Sequence, residues 1–332
     1  GLYRGELAEA IVTEVRAGEG VLSLEDLANH QGQWAGPVST TYRGFTVHET
    51  APNSQGMTAL MALNLLDEVD LAATGAGTPQ TLRYLIQAAQ HAYADRDRYL
   101  TDPDFERIPV DWLLSKDRAK GVLAGGAAPP LVPLSTAGDT TSFCVVDAAG
   151  NAVSCIQSNY SGFGSGLAAG GFGLQNRGAY FSLDAAHVNR LEPGKRTLHT
   201  IMAGMVMCAS KPWILFGAVG GDTQPQTHLQ ALTNIIDFGM NVQEAIEAPR
   251  FVLGQEAGPG DMHLLRLEGR FAPDVVAGLT AMGYEPSSAP SLPGRPGWSA
   301  GFGYGHGLVI DPASGALFGG ADPRWDAYAI GY

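Results

Sequence analysis

Lysine and arginine are scarce in this 332-residue chain. They number 20 against 33 Asp plus Glu, for a formal net charge of −13. No stretch gathers them into the basic surface that tracking a phosphate backbone needs, so nucleic acid is not an expected partner. Charged residues make up 16% of the sequence and hydrophobic ones 45%, the balance of a chain that buries a large core in one or two domains. Long apolar runs are missing too. The most apolar window, residues 200–209, is about half of what a spanning helix takes, so no membrane span is expected, and Gly1 opens no signal-like segment. Cysteine is rare: Cys144, Cys155 and Cys208 are an odd set without CxxC spacing. They argue against a disulfide framework and a cysteine zinc site, and read as small core residues. The histidines form neither HExxH nor a helical i, i+4 pair, so no metal is expected, and no cofactor. Three cysteines and an acidic balance suit cytoplasm and periplasm alike.

Glycine is the residue present in excess. Its 44 copies follow no fixed period, which excludes collagen and solenoids and points to tight turns and close backbone approaches. Leu7, Ile11, Val12 and Val15 lie at helical spacing, and Ser23 before Glu25 and Asp26 caps a second, short helix. Residues 42–48 alternate as a strand. Pro52-Asn53-Ser54-Gln55-Gly56 then turns into an apolar helix over 58–66, and a longer helix over 80–99 ends in Asp95-Arg96-Asp97-Arg98. That charged run suits a solvated face or a buried ion-pair cluster. Residues 121–138, with Gly125-Gly126, Pro129-Pro130 and Pro133, read as an exposed connector and a boundary. Beyond it, 141–147 and 152–158 form a hairpin around Ala148-Ala149-Gly150-Asn151. Strands over 213–219, 263–267, 307–310 and 316–318 and helices over 223–238, 242–248 and 273–282 complete an α+β pattern.

Chemistry concentrates where the connector meets the hairpin, at Gly138-Asp139-Thr140-Thr141. A hydroxyl residue there suits a self-cleaving nucleophile. Cleavage of the Asp139–Thr140 bond would give Thr140 a free α-amine, a base poised near neutral pH, next to its own Oγ. The same pair equally suits the plain start of a strand. Pairing Asp147 with Asn151 or Ala152 sets Ser158 or Asn159 across from Thr140. Gly220-Gly221 closes a strand and opens a helix, a place where two backbone N–H groups can converge on an oxyanion.

A series of ordered motifs resembles the small subunit of the γ-glutamyltranspeptidase family. It runs through Asp139-Thr140-Thr141, Gly150-Asn151-Ala152-Val153, Phe163-Gly164-Ser165-Gly166, Asn176, Lys195-Arg196, Gly220-Gly221, Ile236-Asp237-Phe238-Gly239, Ala248-Pro249-Arg250-Phe251 and Asp322-Pro323-Arg324. Leu24-Glu25-Asp26-Leu27, Tyr42-Arg43-Gly44 and Tyr93-Ala94-Asp95-Arg96 resemble the end of its large subunit. The resemblance implies a four-layer αββα sandwich of the N-terminal-nucleophile hydrolase type, with part of the large subunit missing. Residues 1–139 would be the C-terminal part of that subunit and 140–332 the small catalytic subunit, the two fragments staying associated. It further implies that Thr140 is the nucleophile, that Ser158 supports it, and that Gly220 and Gly221 are the oxyanion donors. His199 and Thr200 stand where the family has a Ser-Ser pair against the substrate carboxylate.

Departures from the family pattern bear on substrate. Tyr160, Arg177 and Tyr180 replace an Asn, a Gln and an Asp that hold a γ-glutamyl group, while Asn176 is kept. An acid suited to an ammonium is lost and a cation gained, which favours a small amide carrying a carboxylate. Asn176-Arg177-Gly178 and Gly221-Asp222-Thr223-Gln224-Pro225-Gln226 look closer to the branch with oxamate amidohydrolase-like and cephalosporin-acylase-like proteins. The short stretch over 182–196 suggests an open pocket. Authentic γ-glutamyl transfer and an inactive, truncated member are the alternatives, and a homodimer is among the assemblies left open.

Overall fold

The computed structural model describes residues 1–124, 128–130, 134, 139–254 and 265–332. It opens with α1 (Glu6–Ala17) and α2 (Leu24–Asn29), the second entered through a capping box between Ser23 and Asp26. Strands β1 (Val38–Tyr42) and β2 (Phe45–Glu49) precede α3 (Gly56–Leu66), α4 (Pro79–Tyr99), α5 (Val110–Leu113) and α6 (Lys116–Ala124). Next come β3 (Asp139–Val146), β4 (Ala152–Tyr160), the short β5 (Ala168–Ala169) and β6 (Phe172–Gly173), then β7 (Ala203–Cys208) and β8 (Lys211–Val219). Helices α7 (Gln224–Ile236) and α8 (Val242–Glu247) lead to β9 (Phe251–Leu253), β10 (Leu265–Leu267), α9 (Pro273–Ala281) and β11 (Pro286–Ser288). Last are β12 (Tyr304–Ile310) and β13 (Leu317–Ala321).

An antiparallel sheet ordered β1-β2-β7-β8-β12-β13 is the frame. Its two faces are distinguished by adjacent residues of β8. Phe216 packs edge-on against His228 of α7, whereas a Cβ on Gly217 would lie 2.3 Å from Ser142 Oγ of β3. Helices therefore cover one face and the β3–β4 hairpin the other. Within the helical layer every residue of α3 is buried, as its largely apolar sequence requires, between β1 and the neighbours α4, α6 and α7, with the buried Asn64 satisfied by Thr40 Oγ1 and Leu114 O. The hairpin's outer face keeps Phe143, Val145 and Val153 about half exposed (49%, 48% and 52%), so the described residues do not close a second helical layer over it.

Several expectations need correction. The single strand over 42–48 is instead interrupted: Tyr42 ends β1 and residues 45–48 lie in β2, because Arg43 and Gly44 between them both take positive φ (50° and 84°), the requirement of a tight hairpin turn. Strand β7 lies in the window that reads only as apolar, and it is central to the sheet. The first residues of the expected connector, 121–124, continue α6, where Val122 packs on the core. Its residues 125–127, 131–133 and 135–138 lie outside the described residues, as do 263 and 264 of the expected strand. The three cysteines are free and half-buried rather than core residues. No helix among the described residues is long and apolar enough to cross a membrane.

Candidate active site

Turn length fixes the register of β3 on β4. Asp147 N–H donates to Asn151 O (3.1 Å), Val146 pairs with Ala152, and the ladder runs back until Thr140 faces Ser158. Thr140 Oγ1 donates to Ser158 Oγ at 3.0 Å, and that oxygen also accepts the Tyr160 N–H at 2.8 Å. Pairing becomes irregular between Asp139 and Thr140, where Asp139 is opposite Tyr160. Tyr160 is itself in the left-handed region (φ 76°), a costly position for a bulky residue that needs surrounding contacts to persist. Those contacts are the Arg177 guanidinium 5.0 Å from its ring centre and the Tyr180 ring, edge-on at 5.6 Å.

Strand β8 leads to the glycine turn beside this ladder. Ser154, opposite Cys144, donates to Phe216 O (3.2 Å), while Ser142 meets Gly217, so descending β3 toward Thr140 follows β8 toward Gly220. Gly220 has φ 137°, and a Cβ there would lie 2.3 Å from Thr223 Oγ1 and 3.0 Å from Gly303 Cα. Only glycine fits. Thr223 donates to Gly220 O through both its N–H (3.0 Å) and its hydroxyl (2.9 Å), and Gly221 follows with φ 57°.

The other sequence-derived candidates divide into two groups. Arg177 and Thr200 meet, with Nη1 donating to Oγ1 at 2.7 Å, and burial holds the guanidinium pKa below its usual value. Asn176 and His199 stand one step back. Asn176 Oδ1 accepts the Ser161 N–H (3.2 Å), and His199 Nδ1 lies 2.8 Å from Thr197 O and 2.7 Å from Asn53 Nδ2. Burial pushes the His199 pKa down, which favours the neutral ring. A cavity of about 320 Å³ opens beside the cluster, walled by Tyr160, Tyr180, Leu100, Leu198, Asp97 and Asp222; Ser182, His187 and Asn189 of the short stretch after Tyr180 also line it. Burial raises the Tyr180 phenol well above its usual pKa, and its hydroxyl donates to Asp222 Oδ1 at 2.6 Å.

The polar group beneath the turn is not among the sequence-derived site candidates, although a buried ion-pair cluster is one reading of the charged run that supplies it. Arg96, from the charged run on α4, is buried and paired with Asp222. Burial opposes its charge, but Asp222 together with Tyr180 and Tyr93 more than compensates and holds the pKa above that of ordinary arginine. The neighbouring charges differ: Asp95 pairs with Arg118, and Asp97 is exposed, 3.9 Å from His187. Gln55, in the turn before α3, is fully buried against Arg96. A glutamine in the turn that opens a largely apolar helix is the available signal. Among the described residues, no group of three or more His, Cys, Asp or Glu side chains is arranged to hold a metal.

This hairpin, glycine turn and buried Arg–Asp pair belong to a chain whose residues 1–332 match the Gamma-glutamyltranspeptidase family model throughout. The chain belongs to the γ-glutamyltranspeptidase family. Among its family relatives, the glutathione hydrolase-like YwrD proenzyme of Bacillus subtilis (strain 168) is 41% identical over 99% of this chain and 62% of its own length. The oxamate amidohydrolase proenzyme of Klebsiella pneumoniae is 35% identical, again over 99% of this chain and 62% of the relative. The crystal structure of cephalosporin acylase from Bacillus halodurans superposes with a TM-score of 0.88 at 36% identity, covering all of this chain and 60% of the acylase. The chain thus spans about three fifths of these γ-glutamyltranspeptidase relatives, and their names agree with the branch read from Asn176-Arg177-Gly178.

Proposed function

We propose that this chain is an autoprocessing amidohydrolase or acyltransferase, cut between Asp139 and Thr140. Residues 1–139 would be the end of a large subunit and 140–332 a small catalytic subunit, associated in a four-layer αββα N-terminal-nucleophile sandwich. The observation that carries this reading is Thr140 Oγ1 lying 3.0 Å from Ser158 Oγ, beside a break in strand pairing at the bond to be cut. In the uncut chain the Thr140 nitrogen is an amide. Its Oγ attacks the Asp139 carbonyl, the C–N bond is exchanged for an ester, and water hydrolyses the ester, leaving the Asp139 carboxylate and a free Thr140 amine.

That amine, with a reference pKa of roughly 7.7–8.0, takes the Oγ proton as the oxygen attacks a substrate amide carbon. An Oγ–C bond forms, the substrate C–N bond breaks, and the proton passes to the leaving nitrogen. Backbone N–H groups of Gly220 and Gly221 hold the oxyanion, and water or an amine then removes the acyl group. Arg177, steadied by Thr200 and Tyr160, favours a substrate carboxylate, with Asn176 and His199 shaping the surroundings. A γ-glutamyl group needs an acceptor for its ammonium, and the Arg177 charge opposes one.

Intact mass under denaturing conditions, combined with turnover of oxamate-like and γ-glutamyl amides, tests this function. Two fragments meeting at 139/140 and turnover of the carboxylate-bearing amide are expected, both abolished by Thr140→Ala. An uncut, inactive parent or an active Thr140→Ala variant overturns it.

A further inference from the structure

We propose that Gln55, locked by Arg96 and Asp222, is a positioning residue for the Gly220–Gly221 turn; this rests on that turn serving as the oxyanion site. A glycine pair in left-handed conformations has no side chains with which to hold itself, so its peptide planes are set by what binds their carbonyls. Thr223 holds the first through Gly220 O. The second is held from another part of the chain: Gln55 Nε2 donates to Gly221 O at 2.9 Å and to Thr200 O at 2.5 Å. Because a trans peptide sets its N–H opposite its C=O, the Gly220 carbonyl fixes the direction of the Gly221 N–H. The Gly221 carbonyl fixes the rotation of the same residue from its other side.

A side-chain amide can do this only in one orientation. Gln55 Oε1 accepts Arg96 Nη1 at 2.9 Å, and the same nitrogen pairs with Asp222 Oδ1, whose carboxylate also takes the Tyr180 hydroxyl. Flipping the amide would leave Arg96 facing an NH2 group and set Oε1 against two carbonyls. Gln55, Arg96 and Asp222 are all at least 97% buried, so water is not at hand to replace a lost partner. The amide also links the glycine turn to the main chain of Thr200, whose hydroxyl receives Arg177. Gln55 and Arg96 lie in residues 1–139, and the groups they hold lie in 140–332. The segment before Thr140 thereby completes the geometry of the site after it.

Steady-state kinetics of the processed protein, with crystal structures of the variants, test this. Gln55→Leu is expected to lower kcat by about 10- to 100-fold with KM near the parent's, short of the roughly 100- to 1000-fold loss when an oxyanion donor is removed outright. Gln55→Glu should do likewise, because it directs a second acceptor at Gly221 O. Arg96→Lys, keeping a cation between Gln55 and Asp222, should recover much of what Arg96→Met loses. A role in folding alone would lower the melting temperature and yield but leave kcat per folded molecule unchanged. In the Gln55→Leu structure the Gly221 carbonyl should rotate from its parent direction. Parent-like kcat in both Gln55 variants, or an unmoved turn, overturns the proposal. A parent inactive on every amide removes the enzymatic reading instead, and the orientation of the turn then decides the positioning role on its own.

Discussion

Thr140 and Ser158 share one hydrogen bond, 3.0 Å long, at the point where the β3–β4 ladder loses its regular pairing. Ser158 Oγ accepts from both the Thr140 hydroxyl and the Tyr160 N–H, so it fixes the Thr140 rotamer and the strained backbone of Tyr160 at once. Ser158→Ala removes an acceptor worth about 1 kcal/mol, which predicts roughly fivefold slower appearance of fragments ending at Asp139 and starting at Thr140. A time course by mass spectrometry measures it. Cleavage at the parent rate would show that Ser158 orients neither group.

His306 makes stability depend on pH. It lies on β12, opposite Gly217, with Nε2 3.2 Å from Ser142 Oγ, between the large sheet and β3. Burial, reinforced by nearby His228 and opposed by Asp322, holds its pKa down to about 4. The unfolded chain, with histidine near 6.5, binds the additional proton between these values. Stability from this group is therefore complete above about pH 6.5 and is lost as pH falls toward about 4, by up to about 3 kcal/mol. Urea unfolding at about pH 7 and about pH 4.5 should show a smaller difference in His306→Gln than in the parent. Equal slopes would place the acid sensitivity elsewhere.

What was legible in the sequence follows the range of the interactions. The partner of Thr140 could be read to within one residue, Ser158 or Asn159, because a short turn after Asp147 determines every pair behind it, and the structure has Ser158. Gly220-Gly221 could be read because few residues other than glycine tolerate such a turn. Strand β7 could not, since residues 200–209 carry apolar side chains on both faces of a central strand and lack alternation. Arg96 and Asp222 are 126 residues apart, and Gln55 stands 41 before Arg96. Only the packed tertiary structure turns a charged run and a turn glutamine into one buried network.

The motif Asp322-Pro323-Arg324 serves the fold away from the hydroxyl pair. Arg324 Nη2 donates to Glu268 Oε2 at 2.6 Å and Nη1 to Asp322 Oδ1 at 3.0 Å, while Arg250 Nη2 reaches Asp322 Oδ2 at 2.7 Å, all buried. Arg324 also donates to the main chain at Ile246 and Ala248, tying α8 to β13. Removing one partner of a buried ion pair strands the others, so Arg324→Met should cost about 3–5 kcal/mol in urea unfolding. A loss below about 1 kcal/mol would mean that Arg250 on Asp322, and Arg270, whose Nη2 donates to Glu268 Oε2 at 2.7 Å, satisfy the two carboxylates alone.

Arg177 gives the sharpest test of substrate class. Its guanidinium is nearly buried, bonded to Thr200 Oγ1 and stacked near Tyr160, an arrangement that limits its rotamers without neutralising its charge. A preorganised guanidinium repays its burial when an anionic ligand arrives, through charge-assisted hydrogen bonds of about twice the neutral strength. Arg177→Gln keeps a donor for Thr200 and removes the charge. For an oxamate-like anionic amide, kcat/KM should fall by roughly tenfold or more, corresponding to about 1.4 kcal/mol, while the neutral amide of the same size changes little. Gln in place of Arg also removes the repulsion of an ammonium, so relative activity on a γ-glutamyl amide should rise. If anionic and neutral amides lose activity equally, Arg177 holds Tyr160 and Thr200 in place and does not choose the substrate.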